Sequence, residues 1–271
     1  MTHLYIEGIG LRGLGLNGWA QSAPVLAGLA DYAAAPVEVP LCPLLPANER
    51  RRAPKTVNLA LAVAAEAFSA SGRSPLTTPV VFSSSGGEGE TIHGILSTLA
   101  SPQRELSPTR FHNSVHNAAA GYWSIGTGAT SASTSLCAYD DSFAAALIEA
   151  AAQVAANQPV AMIVYDVPYP APLCLVRPIG AAFGMALVLS PQPSAASLAR
   201  LDLTLRPGAC AAPTAAPLTL DYLRQSTPAA RSLPLLAALA ANMASVVSLD
   251  YLTDMTLTLQ ITPRPAPGWQ A

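Results

Sequence analysis

Charge is scarce in this chain. Only 11% of its 271 residues are Asp, Glu, Lys or Arg, against 51% hydrophobic, and fourteen basic residues face sixteen acidic ones for a net charge of −2. That balance gives no field to steer toward a phosphate backbone, which argues against nucleic-acid binding. So few charges point instead to a surface partly covered by another subunit. Cysteine is also sparse: Cys42, Cys137, Cys174 and Cys210 form no C-x-x-C pair. They read as reduced thiols of a cytoplasmic protein, neither a disulfide framework nor a metal site. No long apolar run is free of charge and turn residues, so no membrane span is expected. The opening MTHLYIEGIG lacks the basic and apolar regions of a secretion signal. Histidine occurs four times, at His3, His93, His112 and His116, and never afterwards.

What is present reads as alternating strands and helices. Leu4–Ile9 is a strand running into Gly8, Gly10 and Gly13, a G-x-G-x-x-G spacing. The glycines continue at Gly15 and Gly18, and Asp31 ends an Ala/Leu helix rather than following a second strand. A permissive turn therefore explains them better than a dinucleotide site, and no cofactor is expected. A helix over 19–32, a proline-rich passage, the basic run Arg50-Arg51-Arg52 and an amphipathic helix over 54–71 follow. Pro79–Phe82 is a strand leading into Ser83-Ser84-Ser85-Gly86-Gly87, which lacks the G-x-S-x-G of a hydrolase elbow. A helix over 91–100 and a loop over 102–110 come next. Beyond residue 156, VAMIVY (160–165) reads as a strand apolar on both faces. Residues 181–190 and 199–205 read as an antiparallel strand pair, 207–217 as a linker, 233–246 as a helix and 255–261 as a strand, with a proline-rich tail.

The chemistry concentrates in residues 111–156. A His- and Asn-rich loop leads to the Ser/Thr-rich strand 132–136, and a tight turn, Cys137-Ala138-Tyr139-Asp140-Asp141-Ser142, enters a helix with Phe143, Leu147, Ala151, Val154 and Ala155 on one side. A strand feeding a buried helix through such a turn aims several N–H groups at one point, a geometry suited to a nucleophile or an anion.

Several phrases resemble the β-ketoacyl synthases of the thiolase superfamily, specifically their N-terminal half. They are YIEGIGLRGLGLNG, ERRRAPKTVNLALAVAAEAF, VVFSSSGGEGE, SPTRFHNSVHNAAAGYWSIGTG and the block 179–189. More narrowly, HNAAAGYWSI, the turn with its acidic pair and SFAAALIEA, and YDVPYP are similar to short chain-length-factor-like proteins of aryl-polyene and xanthomonadin-type pigment clusters. The resemblance implies an α/β fold: a thiolase-like half with a mixed five-stranded sheet, helices on both faces and a buried central helix. It divides the chain into a half-domain, 1–208, and a linker with a reduced helix-strand remnant, 209–271, packed on the same core.

A condensing enzyme needs a cysteine at the elbow and polar groups, His/His or His/Asn, that decarboxylate malonyl. Ungapped alignment from Gly128 puts Asp140 at the nucleophile position and keeps the helix register. Cys137 reaches that position only through a deletion, and otherwise ends the strand as a small buried hydrophobe. The family's further catalytic groups come from a C-terminal half, whereas here only residues 209–271 follow, without histidine. The resemblance thus implies a catalytically silent subunit that pairs with a full-length ketosynthase, or with itself, in type II fatty-acid or polyketide assembly. His112, His116, Asn117, Tyr122 and Trp123 would line its interface or pocket. Two alternatives stay open: an acyltransferase or thioester hydrolase using Cys137 with His112 or His116 as base, and an acyl-carrier-protein-binding module gripping its partner with Arg50, Arg51 and Arg52.

Overall fold

The computed structural model describes residues 2–102, 104–209 and 217–264. Most of the expected linker, with Cys210, and most of the proline-rich tail lie outside the described residues. In chain order the elements are β1 (Thr2–Gly13), β2 (Leu16–Asn17), α1 (Trp19–Leu26), α2 (Ala47–Arg52), α3 (Lys55–Ser71), β3 (Val80–Ser83), α4 (Gly89–Leu99), α5 (Pro108–Asn113), α6 (Ala118–Thr127) and β4 (Ser133–Leu136). Then come α7 (Ser142–Val154), β5 (Val160–Asp166), α8 (Leu173–Val176), β6 (Phe183–Ser190), β7 (Ala199–Pro207), α9 (Leu218–Ser226), α10 (Leu233–Ala241), β8 (Ser245–Tyr251) and β9 (Met255–Pro263).

Strand β1 organises the sheet. Leu4 and Ile6, then Ile9 and Leu11, are all buried on one face, although strict alternation would turn the second pair outward. A bulge between Ile6 and Gly8 inserts the extra residue that restores the face. Gly8 and Gly10 point the other way, where a Cβ would stand 2.1 Å from the Ala67 carbonyl oxygen and 2.0 Å from that of Val63. Helix α3 therefore lies directly on the strand backbone, and the glycine spacing serves this close approach.

The sheet order is β4-β3-β5-β6-β1-β7-β9-β8, with β2 hairpinned onto β1. β3 is parallel to β4 and β5, and the remaining pairs are antiparallel. The expected mixed five-stranded sheet is the run β4 to β1, which the structure extends through β7, β9 and β8. Alternate residues of β5 and β6 feed opposite faces. Met162, Val164, Met185 and Leu187 join a core with α7 and α10, while Ala161, Ile163, Ala186 and Val188 join one with α3 and α6.

Several expectations are corrected. β6 and β7 are not partners, because β1 lies between them and pairs with both. Their connection crosses β1 midway, at its bulge, where the Leu198 N–H bonds the Ile6 carbonyl at 2.7 Å and Ser194 donates to Glu7. Helix α1 stops at Leu26, ahead of Gly28 at φ 72°, and residues 108–113 are helical with Pro108 at the first turn. The helix expected over 233–246 ends at Ala241, where Asn242 adopts φ 51°, and Val246 belongs to strand β8. Residues past 208 thus supply α9 and β8 besides the helix and strand expected. Ala155 is exposed beyond the end of α7, while Phe143, Leu147, Ala151 and Val154 are buried as read.

Candidate functional site

β4 ends at Leu136, and the chain reaches α7 through Cys137, Ala138 and a single 3-10 turn, Tyr139–Asp141. Tyr139 takes φ 53°, a left-handed conformation disfavoured for a bulky residue. Ser142, fully buried, fixes the turn: its hydroxyl accepts the Ala138 N–H at 3.1 Å and donates to the Tyr139 carbonyl at 2.7 Å. Behind it the Ser83 hydroxyl donates to the Ser142 carbonyl at 2.9 Å, locking the helix start to the end of β3.

Asp140 and Asp141 stand at the mouth of α7, held by arginines from distant parts of the chain. Arg177 Nη2 lies 2.7 Å from Asp140 Oδ1, an ion contact without an aligned hydrogen bond. Its guanidinium also lies 3.6 Å from the centre of the Tyr139 ring. Arg231 is shared, 3.4 Å from Asp140 Oδ2 and 3.0 Å from Asp141 Oδ1. Asp141 Oδ2 accepts the Leu252 N–H at 3.0 Å, tying the elbow to the turn between β8 and β9. Two cavities flank Asp140. One of about 320 Å³ includes Asp141, Phe143, Arg224 and Leu249; the other, about 520 Å³, includes Arg177, Tyr222, Ser226 and Arg231. A carboxylate engaged by two guanidinium groups is a poor nucleophile, and without sulfur it forms no thioester.

Cys137 lies before this mouth. It is exposed, contrary to the buried hydrophobe expected, because edge strand β4 leaves its end uncovered. Its thiol donates to the Ser85 carbonyl at 3.1 Å, and among the described residues it has no imidazole partner. His116 Nε2 lies 3.1 Å from the neighbouring Ser84 carbonyl. Beneath this loop the buried Asp166 carboxylate accepts Ser85 N–H and Oγ–H at 2.9 and 2.7 Å, Ser84 Oγ–H at 3.3 Å, and Ala229 N–H at 2.9 Å. Burial pushes its pKa upward against these four bonds.

The other predicted residues lie around α5 and α6. His112 is exposed and meets Tyr122 edge-on at 5.8 Å; Tyr122 donates to Asn113 Oδ1 at 3.0 Å, and Asn113 in turn donates to the Arg52 carbonyl at 2.9 Å. His112, Tyr122, Ile125, Glu49 and Arg52 border a cavity of about 300 Å³. Asn117 is exposed at the start of α6. Trp123, expected to line the interface or a pocket, lies in the core, 1% exposed and stacked on Phe68 of α3 at 5.2 Å, because the inward side of α6 carries it. The arginine run is split: Arg50 donates to the Leu45 carbonyl at 2.8 Å, Arg51 to Asn48, and Arg52 lies 3.6 Å from Glu49. Sequence reasoning missed Arg177, Arg231 and Asp166. Their one signal is a lone charge set among apolar and proline neighbours.

Among the described residues no helix is long and apolar enough to cross a membrane. A family model described as "Beta-ketoacyl synthase, N-terminal domain" matches residues 19–245. Among solved structures, one similar fold is the ketosynthase (ApeO) in complex with its chain length factor (ApeC) from Xenorhabdus doucetiae. It shows 22% identity and a TM-score of 0.72, covering 96% of this chain and 99% of the matched chain. The ishigamide ketosynthase/chain length factor matches at 17% identity and TM-score 0.70, covering 97% and 99%. AntDE:AntF, a type II polyketide synthase acyl-carrier protein in complex with its ketosynthase bound to the hexaketide, matches at 12% and 0.73, again covering 97% and 99%. A comparison with curated proteins finds no match.

Proposed function

The chain belongs to the β-ketoacyl synthase N-terminal-domain family, and from that membership we propose that it is a non-condensing, chain-length-factor-like subunit that pairs with a ketosynthase. The observation that carries this reading is the elbow: the mouth of α7 presents Asp140 clamped by Arg177 and Arg231, while the nearby thiol of Cys137 is engaged by a backbone carbonyl. The pathway is type II assembly of a polyketide or fatty acid, of the aryl-polyene kind. Neighbouring folds drawn from ketosynthase–chain length factor pairs support that assignment.

The docking face is the edge of β4 with the adjoining α5–α6 surface. β4 has no partner on its outer side among the described residues, and α6 packs against β3 and β4. Phe111, Val115 and Ile125 are exposed there at 63%, 47% and 47%, beside His112 and Asn117. An unpaired edge bordered by large apolar side chains suits burial against a partner subunit. In this reading 1–208 is the thiolase-like half, and the described part of 209–271, residues 217–264, packs on the same core and closes the elbow through Arg231 and Leu252.

Co-expression with a full-length ketosynthase of a type II system tests the proposal, with a heterodimer expected on size-exclusion chromatography. Condensation of acyl and malonyl carrier proteins by the purified chain alone would refute it. Acyl transfer or thioester hydrolysis by the purified chain, lost in Cys137→Ala, would point to the acyltransferase or hydrolase alternative.

A further inference from the structure

The larger cavity beside Asp140 has the chemistry of a ligand site in its own right. Its wall is built from the segment after α8 and from α9 with the 3-10 turn that follows, and it encloses about 520 Å³. Two guanidinium groups, Arg177 and Arg231, face a single lining carboxylate, Asp140. Both arginine side chains are largely covered, at 18% and 31% exposure. Two donors on residues of this lining are buried yet unsatisfied among the described residues: the Ser226 hydroxyl, and Arg177 Nη2, which touches Asp140 without an aligned hydrogen bond. A buried donor left unmade costs free energy that an acceptor oxygen would recover.

The arginine fork is also held in place before any ligand arrives. Arg177 lies against the ring of Tyr139, which the tight turn holds at positive φ. Stacking of this kind lowers the side-chain entropy lost when the fork binds an oxyanion. Pro178, Ile179 and Pro228 supply an apolar wall next to these donors.

We infer that this cavity binds an oxyanion, a carboxylate or phosphate carrying a short apolar body, through Arg177, Arg231 and Ser226. Asp140 and Asp141 are the built-in competitors: Asp140 engages Arg177 and Arg231, Asp141 bonds Arg231 at 3.0 Å, and both must share or release these groups when an anion enters. The inference concerns the isolated chain and does not depend on pairing with a ketosynthase.

Isothermal titration of the full chain with inorganic phosphate, butyrate and butyl phosphate, at ionic strength matched with chloride, tests it. Saturable binding of at least one probe is expected, and comparison of butyrate with butyl phosphate identifies the preferred oxyanion. Arg177→Gln and Arg231→Gln should each weaken binding by about tenfold or more, the scale of one charge-assisted hydrogen bond, while Arg264→Gln, at an exposed arginine away from the cavity, leaves it unchanged. Asp140→Asn keeps both arginines and removes the carboxylate that lines the cavity, freeing Arg177 while Asp141 still holds Arg231, so it should tighten binding; this arm decides the matter if the glutamine variants fold poorly. No saturable binding of any probe, or affinity unmoved by Asp140→Asn, overturns the inference. Heterodimer formation is scored on the same variants, so a chain that docks without binding anions refutes this site alone.

Discussion

Asp166 at the end of β5 accepts the backbone N–H of Ala229 at 2.9 Å, so one carboxylate joins the parallel core of the sheet to the segment that supplies Arg231. The same carboxylate orders Ser84 and Ser85 beneath Cys137. Replacing it with alanine strands buried donors on two elements. Asp166→Ala should lower unfolding free energy by about 3 kcal/mol, read from urea titrations. A loss below about 1 kcal/mol would mean that water takes over these donors without penalty.

The same residue sets a pH dependence. Burial raises the folded pKa of Asp166 above its unfolded value, so its contribution to stability is fully present below the unfolded value, about 3.9. It is lost as pH rises through the raised folded pKa. Asp166→Asn should therefore flatten a decline in wild-type stability across that window, measured as urea midpoints at successive pH values. Parallel pH profiles for the two proteins would contradict it.

The contact of β1 with α3 predicts a sharp difference between two glycines. A Cβ on Gly10 meets the Val63 carbonyl oxygen at 2.0 Å, whereas one on Gly121 in α6 meets nothing within 4 Å. Gly10→Ala should destabilise the chain by about 2 kcal/mol or more, since backbone must shift. Gly121→Ala should be neutral or stabilising by up to about 1 kcal/mol, the helix-propensity gain. Thermal unfolding of the pair checks both signs at once.

If the α5–α6 face docks a ketosynthase, charge placed there blocks pairing without unfolding the chain. Ile125→Glu and Phe111→Glu should reduce recovery of the co-expressed complex at least about tenfold, while the stability of the free chain changes by less than about 0.5 kcal/mol. Undiminished pairing would move the interface elsewhere.

The sequence displayed the layers of this molecule more readily than their connections. β5 and β6 are apolar on both faces, and α7 shows its stripe, because period and composition carry that information locally. That β1 separates β6 from β7 has no local signature; adjacent strands suggested a hairpin, and the pairing is decided by contacts with residues more than a hundred positions away. α10 and β8 merge into one apolar run whose break rests on a single left-handed Asn242, and α9 is too polar overall to stand out. At the site, the turn and its acidic pair were legible from the strand-to-helix pattern. The arginines that neutralise the pair were not, because ion pairs formed across distant segments leave no spacing to read.

The bulged strand β1 carries one more consequence. It is synthesised well before its two long partners, β6 and β7, which emerge only after residue 182. Until then this twelve-residue strand has α3 to lie against and only the two-residue β2 paired with its last residues. The nascent chain must shelter the unpaired edges of that strand from other chains over the intervening segments, and slower elongation through residues 183–207 would lengthen their exposure.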